Sequence, residues 1–124
     1  MADYRTPSWD GVQNYIDHIR ERNSDAHPIY SSTFYQEVGQ TFDELKELLT
    51  KKHIDYGPKN ISQSPGGPIN GLRVRMHDKL ARINNLVDTQ VSDPQYESLE
   101  DSFKDMANYA IIGLLVLRGK WDRE

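Results

Sequence analysis

Cysteine is absent from the 124-residue chain, which excludes disulfides, thiolate zinc sites and thiol catalysis. Long apolar runs are absent as well. The longest, Ala110-Ile111-Ile112-Gly113-Leu114-Leu115-Val116-Leu117, is under half of the ~18 residues that cross a bilayer, so no membrane is expected among the partners. The stretch Met1-Ala2-Asp3-Tyr4-Arg5 lacks the apolar centre of a signal peptide, and a cytoplasmic location is expected. Basic charge is in deficit, 15 Lys and Arg against 19 Asp and Glu, a net −4. That balance argues against direct nucleic-acid binding. No Gly-x-x-x-x-Gly-Lys-Ser/Thr phosphate loop, Gly-x-Ser-x-Gly nucleophile turn or His-Glu-x-x-His zinc helix occurs, and the four histidines show no metal spacing. Apolar residues are scarce too. Leaving out tyrosine and counting glycine, they make up about 37% of the chain, against the usual 45–50% or about that. A core this lean predicts a subunit completed by homo-oligomerisation.

What is present reads as an all-α protein, a small bundle of about four helices in a single domain, because no segment shows strand alternation. Residues 1–40 form a peripheral helix and loop in this reading, and 41–124 the core. Ser8 is placed to cap a helix whose Trp9, Val12, Ile16 and Ile19 share one face as far as Asn23. Residues 24–40 read mostly as loop. Thr41-Phe42-Asp43-Glu44 has the form of a capping box and predicts a helix over 42–54, stopped by Gly57. Gly57, Pro58, Pro65, Gly66, Gly67 and Pro68 then predict a long loop to residue 70, of a length more often functional than not. Leu72, Met76, Leu80, Ile83 and Val87 predict one buried stripe on a helix over 70–89. Asp93-Pro94 has the form of a cap and first helical residue for a last helix over 94–118.

Charge is distributed unevenly over the last two helices. Residues 70–91 carry a net +2 and residues 95–109 a net −3. At about 100° per residue, Glu97, Asp101, Asp105 and Asn108 fall within about 80° of one another, and the same arc continues into Ile112 and Leu115. An acidic stripe that turns apolar without leaving its face points at something other than solvent. Partly buried carboxylates about 6 Å apart repel by roughly 3 kcal/mol at an effective dielectric near 20, so the cluster needs cations. Either Mg²⁺ supplies them, or Arg75, Lys79 and Arg82 of the preceding helix do, as interhelical salt bridges. A third feature is Tyr56-Gly57-Pro58-Lys59-Asn60, where a tyrosine, a lysine and an asparagine have the chemistry to meet a base, a phosphate and a base edge. The same residues also make an ordinary helix end, with a glycine stop and a proline beyond.

Three blocks together carry a resemblance: Lys52…Asp55-Tyr56-Gly57-x-x-Asn60, then Gly71-Leu72-Arg73-Val74-Arg75-Met76-x-Asp78-Lys79-x-x-Arg82, then Glu97-x-Leu99-Glu100-Asp101-x-x-x-Asp105-x-x-x-Tyr109. Over about residues 41–118 the chain resembles the nucleotide modification associated domain of phages and bacteria, which in turn is similar to the MazG-like all-α nucleoside triphosphate pyrophosphatases. The resemblance implies a dimer or tetramer in the cytoplasm, or the host cytoplasm for a phage protein. It also implies Mg²⁺ (or Mn²⁺) held by carboxylates on two adjacent helices, and water attack on a (deoxy)nucleoside triphosphate to release pyrophosphate. On that reading Glu97, Asp101 and Asp105 are catalytic and, with Asp78, hold the metal. Arg75, Lys79 and Arg82 neutralise the phosphates, and Tyr56, Lys59, Asn60 and Asn108 hold the rest of the substrate.

The larger group carries Glu-x-x-Glu on one helix and Glu-x-x-Asp on the next. Asp105 corresponds to the last aspartate, but position 102 is serine, and Lys79 and Arg82 stand where further carboxylates would be. Two other readings therefore stand beside the hydrolase. One is a non-catalytic nucleotide-binding or sequestering protein, or an accessory to DNA base modification. The other is a helical interaction module whose charges simply pair.

Overall fold

The computed structural model of the protein describes residues 9–23, 27–90, 93–94 and 96–122. It is all-helical, with no strand among the described residues. The helices are α1 (Trp9–Asn23), α2 (Thr33–Tyr56), α3 (Lys59–Ser62), α4 (Pro68–Asp88) and α5 (Leu99–Leu117), with a 3₁₀ turn at Pro28–Ser31. All but α3 are substantial, so the bundle of about four helices read from the sequence is the fold. No helix is long and apolar enough to cross a membrane among the described residues.

α1 ends where its periodicity does, and its expected cap, Ser8, lies outside the described residues. The expected loop over 24–40 is corrected from Thr33 onward, because α2 starts there and runs through position 41 without a break. Its cap is Ser32, whose Oγ accepts from the Tyr35 N–H at 3.2 Å. Thr41 sits mid-helix, its hydroxyl donating to the Glu37 carbonyl one turn back, so the apparent capping box is only a local composition. Gly57 does end α2, at φ 68°, a conformation that glycine adopts without steric cost.

The expected loop to residue 70 is shorter and partly helical, since α3 sits inside it. Ile61 of α3 is 1% exposed and packs with Leu72 of α4 and Ile112 of α5 in the central cluster, with Leu49, Tyr109, Val116 and Trp121 against it. The four-residue helix thus plugs the bundle. Two side chains tie this segment down: Arg75 donates to the Asn60 carbonyl and to Ser64 Oγ, at 2.9 and 3.1 Å, and Trp121 Nε1 donates to the Pro58 carbonyl at 2.9 Å. Gly71 lets α4 approach this segment closely, because a Cβ there would stand 2.4 Å from the Ser64 side chain.

α4 and α5 form an antiparallel hairpin, with Leu72 opposite Gly113 near one end and Lys79 opposite Asp105 toward the other. The buried stripe of α4 is not the one the period suggested. Leu72, Ile83 and Leu86 are buried, whereas Leu80 and Val87 are exposed. Arg75, Lys79 and Arg82 are partly buried among them, Arg75 against Asn60 and Ser64, Lys79 against Asp105 of α5 and Arg82 against Glu97.

The expected start of α5 also moves. Asp93-Pro94 lies in a bend and an irregular stretch, and the helix begins after Ser98. Ser98 Oγ accepts from the Asp101 N–H at 3.0 Å, and Asp101 Oδ2 accepts from the Ser98 N–H at 3.3 Å. This reciprocal box satisfies two orphan donors at once, which Asp93-Pro94 does not do.

Candidate functional site

The charged residues of the α4–α5 hairpin converge on Lys79. Its side chain is 17% exposed, and its ammonium lies 2.8 Å from Glu97 Oε2 and 3.0 Å from Asp105 Oδ2. Lys52 of α2 reaches the other oxygen of Asp105 at 2.7 Å. Arg82 donates through a terminal nitrogen to the Glu97 carbonyl, while its buried Nε, 3.6 Å from Glu97 Oε2, has no hydrogen-bond partner. Burial works against the charge on Asp105, but the hydrogen bonds from Lys52 and Lys79 outweigh it and hold its carboxyl below the usual carboxylate value. Burial likewise opposes the charge on Lys79, and its bonds to Glu97 and Asp105 raise its pKa in spite of that.

The acidic stripe expected from the sequence is therefore divided. Glu97 and Asp105 come together against the basic helix. Glu97 precedes the helix instead of lying on it, so the wheel angle that grouped it with the others does not apply. Asp101 is exposed and spends its carboxylate on the cap of α5. Asp78 is exposed on α4 and borders the groove described below. Among the described residues no three His, Asp or Glu side chains are grouped to hold a metal ion. Position 102, where the larger group's pattern puts an acid, is a fully buried serine against the first turn of α5. The arrangement described here does not fit a four-carboxylate magnesium site, because its two converging acids are already neutralised by lysines. The same basic residues have the chemistry to meet a phosphate.

Two cavities meet on this face. The first, of about 270 Å³, is walled by Leu49, Lys52, His53 and Tyr56 of α2, Asn60 and Ile61 of α3, Arg75 of α4, Asp105, Asn108, Tyr109 and Ile112 of α5, and Trp121 beyond it. The second is a shallower groove of about 590 Å³ along Arg75, Asp78, Lys79, Arg82, Tyr96, Glu97 and Tyr109. Arg75 and Tyr109 wall both, so the two are adjoining compartments of one cleft. The first mixes aromatic and apolar walls, Tyr56, Tyr109, Trp121, Leu49, Ile61 and Ile112, with polar and charged ones, Lys52, Arg75 and Asp105 among them. The second is lined by three of the chain's cations.

Of the residues singled out from the sequence, Tyr56, Asn60, Arg75, Asp105 and Asn108 wall the first compartment, and Arg75, Asp78, Lys79, Arg82 and Glu97 the second. Lys59 is exposed at the start of α3 and borders neither, and Asp101 borders neither. Sequence reading missed His53 and Trp121. Their rings meet edge to face at 4.8 Å, and His53 Nδ1 is buried without a hydrogen-bond partner. The available signal was Trp121 itself, a large donor-bearing ring just past a helix end, where its N–H needs a partner.

Residues 68–117, the α4–α5 hairpin, match the family model described as nucleotide modification associated domain 1. The likeness expected over residues 41–118 is thus found over its second and third blocks, and the first block on α2 and α3 lies outside the match. No curated protein and no solved structure matches the chain.

Proposed function

We propose that the protein binds a nucleotide across this cleft, with the nucleoside in the aromatic compartment and the phosphates along Arg75, Lys79 and Arg82. The observation that carries the reading is the shared wall: Arg75 and Tyr109 border both compartments. A ligand with an aromatic end and an anionic end fits a cleft built in that order. The match of the hairpin to a nucleotide modification associated domain supports it.

Hydrolysis of a (deoxy)nucleoside triphosphate with Mg²⁺ or Mn²⁺, as in the MazG-like enzymes, is the more specific reading. It requires an acid cluster that the described residues do not assemble, and so binding without cleavage, in sequestration or as an accessory to base modification, is favoured. Self-association belongs to the same proposal. The decisive experiment incubates the protein with a nucleotide panel, with and without Mg²⁺, and records thermal stabilisation and pyrophosphate release together. Stabilisation without release is the expected result. Mg²⁺-dependent release that Asp105→Asn abolishes would establish the hydrolase instead. No stabilisation by any nucleotide sinks the reading.

A further inference from the structure

Two carboxylates sit on the ammonium of Lys79, and they are held in different ways. Asp105 belongs to α5, its side chain is 12% exposed, and its oxygens are divided between Lys79 and Lys52 of α2. Glu97 lies before α5 in an irregular stretch, and its side chain is 37% exposed. Both of its oxygens accept from Lys79, at 2.9 and 2.8 Å. Its backbone is fixed independently of that contact, because Arg82 donates to its carbonyl and the cap of α5 is made by Ser98 and Asp101. The carboxylate can therefore turn out to water while the chain on either side stays in place. Lys79 would then keep Asp105, so no partly buried ammonium is stranded without a counter-charge, which is the costly outcome.

Glu97 lines the groove assigned above to the phosphates, together with Arg75, Lys79 and Arg82. Arg75 donates to neutral oxygens of Asn60 and Ser64 and pairs with no carboxylate among the described residues. Lys79 and Arg82 both face Glu97. An entering phosphate chain thus meets one cation without an acidic partner and two whose charge is already answered. We infer that Glu97 is a built-in competitor for the phosphate position, an autoinhibitory contact that a polyphosphate relieves by exchange. Phosphate oxygens replace the Glu97 carboxylate on Lys79 and Arg82, and the glutamate side chain swings to solvent. The exchange runs toward the ligand because a partly exposed ion pair is weak, whereas a polyphosphate brings more charge and can meet an arginine through two oxygens at once. The inference rests on the nucleotide reading above.

The test uses sodium tripolyphosphate, which carries the phosphates and no base, titrated calorimetrically into the full chain in the presence of a chelator. Glu97→Gln, checked for retained helicity by circular dichroism, is expected to bind it about fivefold tighter than the unmodified protein, the factor that corresponds to one partly exposed ion pair. Glu100→Gln removes the same charge three residues on, outside the groove, and is expected to leave the affinity unchanged. An equal gain in both variants would mark a general field effect and overturn the inference, as would an unchanged or weaker affinity in Glu97→Gln. The unmodified protein supplies a second measurement that needs no variant to fold. On saturation with tripolyphosphate, the carbon-13 resonance of the Glu97 carboxylate is expected to move to the position of a solvated glutamate. A resonance that stays in place while tripolyphosphate binds would overturn the inference too. If nucleotides stabilise the protein and these signs are missing, the competitor role alone falls. If neither tripolyphosphate nor any nucleotide binds the unmodified protein or Glu97→Gln, the nucleotide reading falls with it.

Discussion

Asp105 shows how one residue joins stability to function in this protein. Its side chain is 12% exposed and bridges Lys52 of α2 and Lys79 of α4, so a single carboxylate ties three helices together. Because its folded pKa lies below the ordinary value of 3.8, the stability it contributes is present above that value and is lost as pH falls through the lower, folded one. Lys79 is the opposite case: its pKa is raised above 10.5, so its contribution is complete below that value and disappears as pH climbs through the higher one. Asp105→Asn should cost about 1.5–3 kcal/mol at neutral pH, the range for hydrogen bonds to charged groups. The gap from the unmodified protein should shrink in urea unfolding below about pH 4, where ordinary aspartates become protonated. A gap that stays constant down to pH 2 would show that the carboxylate is not the source. At this scale much of the site was legible from residue types. Asp105, Lys79, Arg82 and Arg75 were recognisable as a charge set, but the partner of each was not, because a wheel drawn on one helix says nothing of what another helix brings.

At the scale of elements, start signals compete, and the one whose side chains complete each other wins. Thr41-x-x-Glu44 and Ser98-x-x-Asp101 have similar form, yet only the second closes into a reciprocal cap. At Thr41 the chain is already helical from Thr33 onward. Ser98→Ala should therefore destabilise the protein by about 1 kcal/mol, the usual cost of losing a cap. Thr41→Ala should be neutral or stabilising by up to roughly 0.5 kcal/mol, since alanine is the better helix former. Paired thermal denaturations distinguish the two, and equal effects would reverse this account of where the helices begin. The cap at Ser98 also has a functional consequence: it draws Asp101 away from the cleft and leaves Glu97 outside the helix, able to reach Lys79 and Arg82.

The whole molecule is short of interior. Leu45, Ile61, Leu72, Ile83, Leu86 and Ile112 are the buried apolar side chains among the described residues. Exposed apolar side chains lie along both arms of the hairpin, with Leu80 and Val87 on α4 and Phe103 and Leu114 on α5. The protein should therefore sediment as a dimer or larger at micromolar concentration, and Leu80→Glu with Val87→Lys should shift it toward the monomer while leaving its helical circular dichroism intact. A monomer at all concentrations would mean that the lean core suffices alone. The share of apolar residues announced this deficit, but which side chains remain outside was a matter of how α3 and α4 settle against α5.

The all-helical class, the hairpin of a basic and an acidic helix, and the scarcity of core follow from composition and periodicity, which depend only on neighbours along the chain. The pairing of Asp105 with two lysines from different helices, the withdrawal of Asp101 into a cap, the plug made by Ile61 and the pocket wall made by His53 and Trp121 depend on contacts between residues far apart in sequence. Only the tertiary structure decided those, because hydrogen bonds and close packing between distant segments leave no period in the chain to be read.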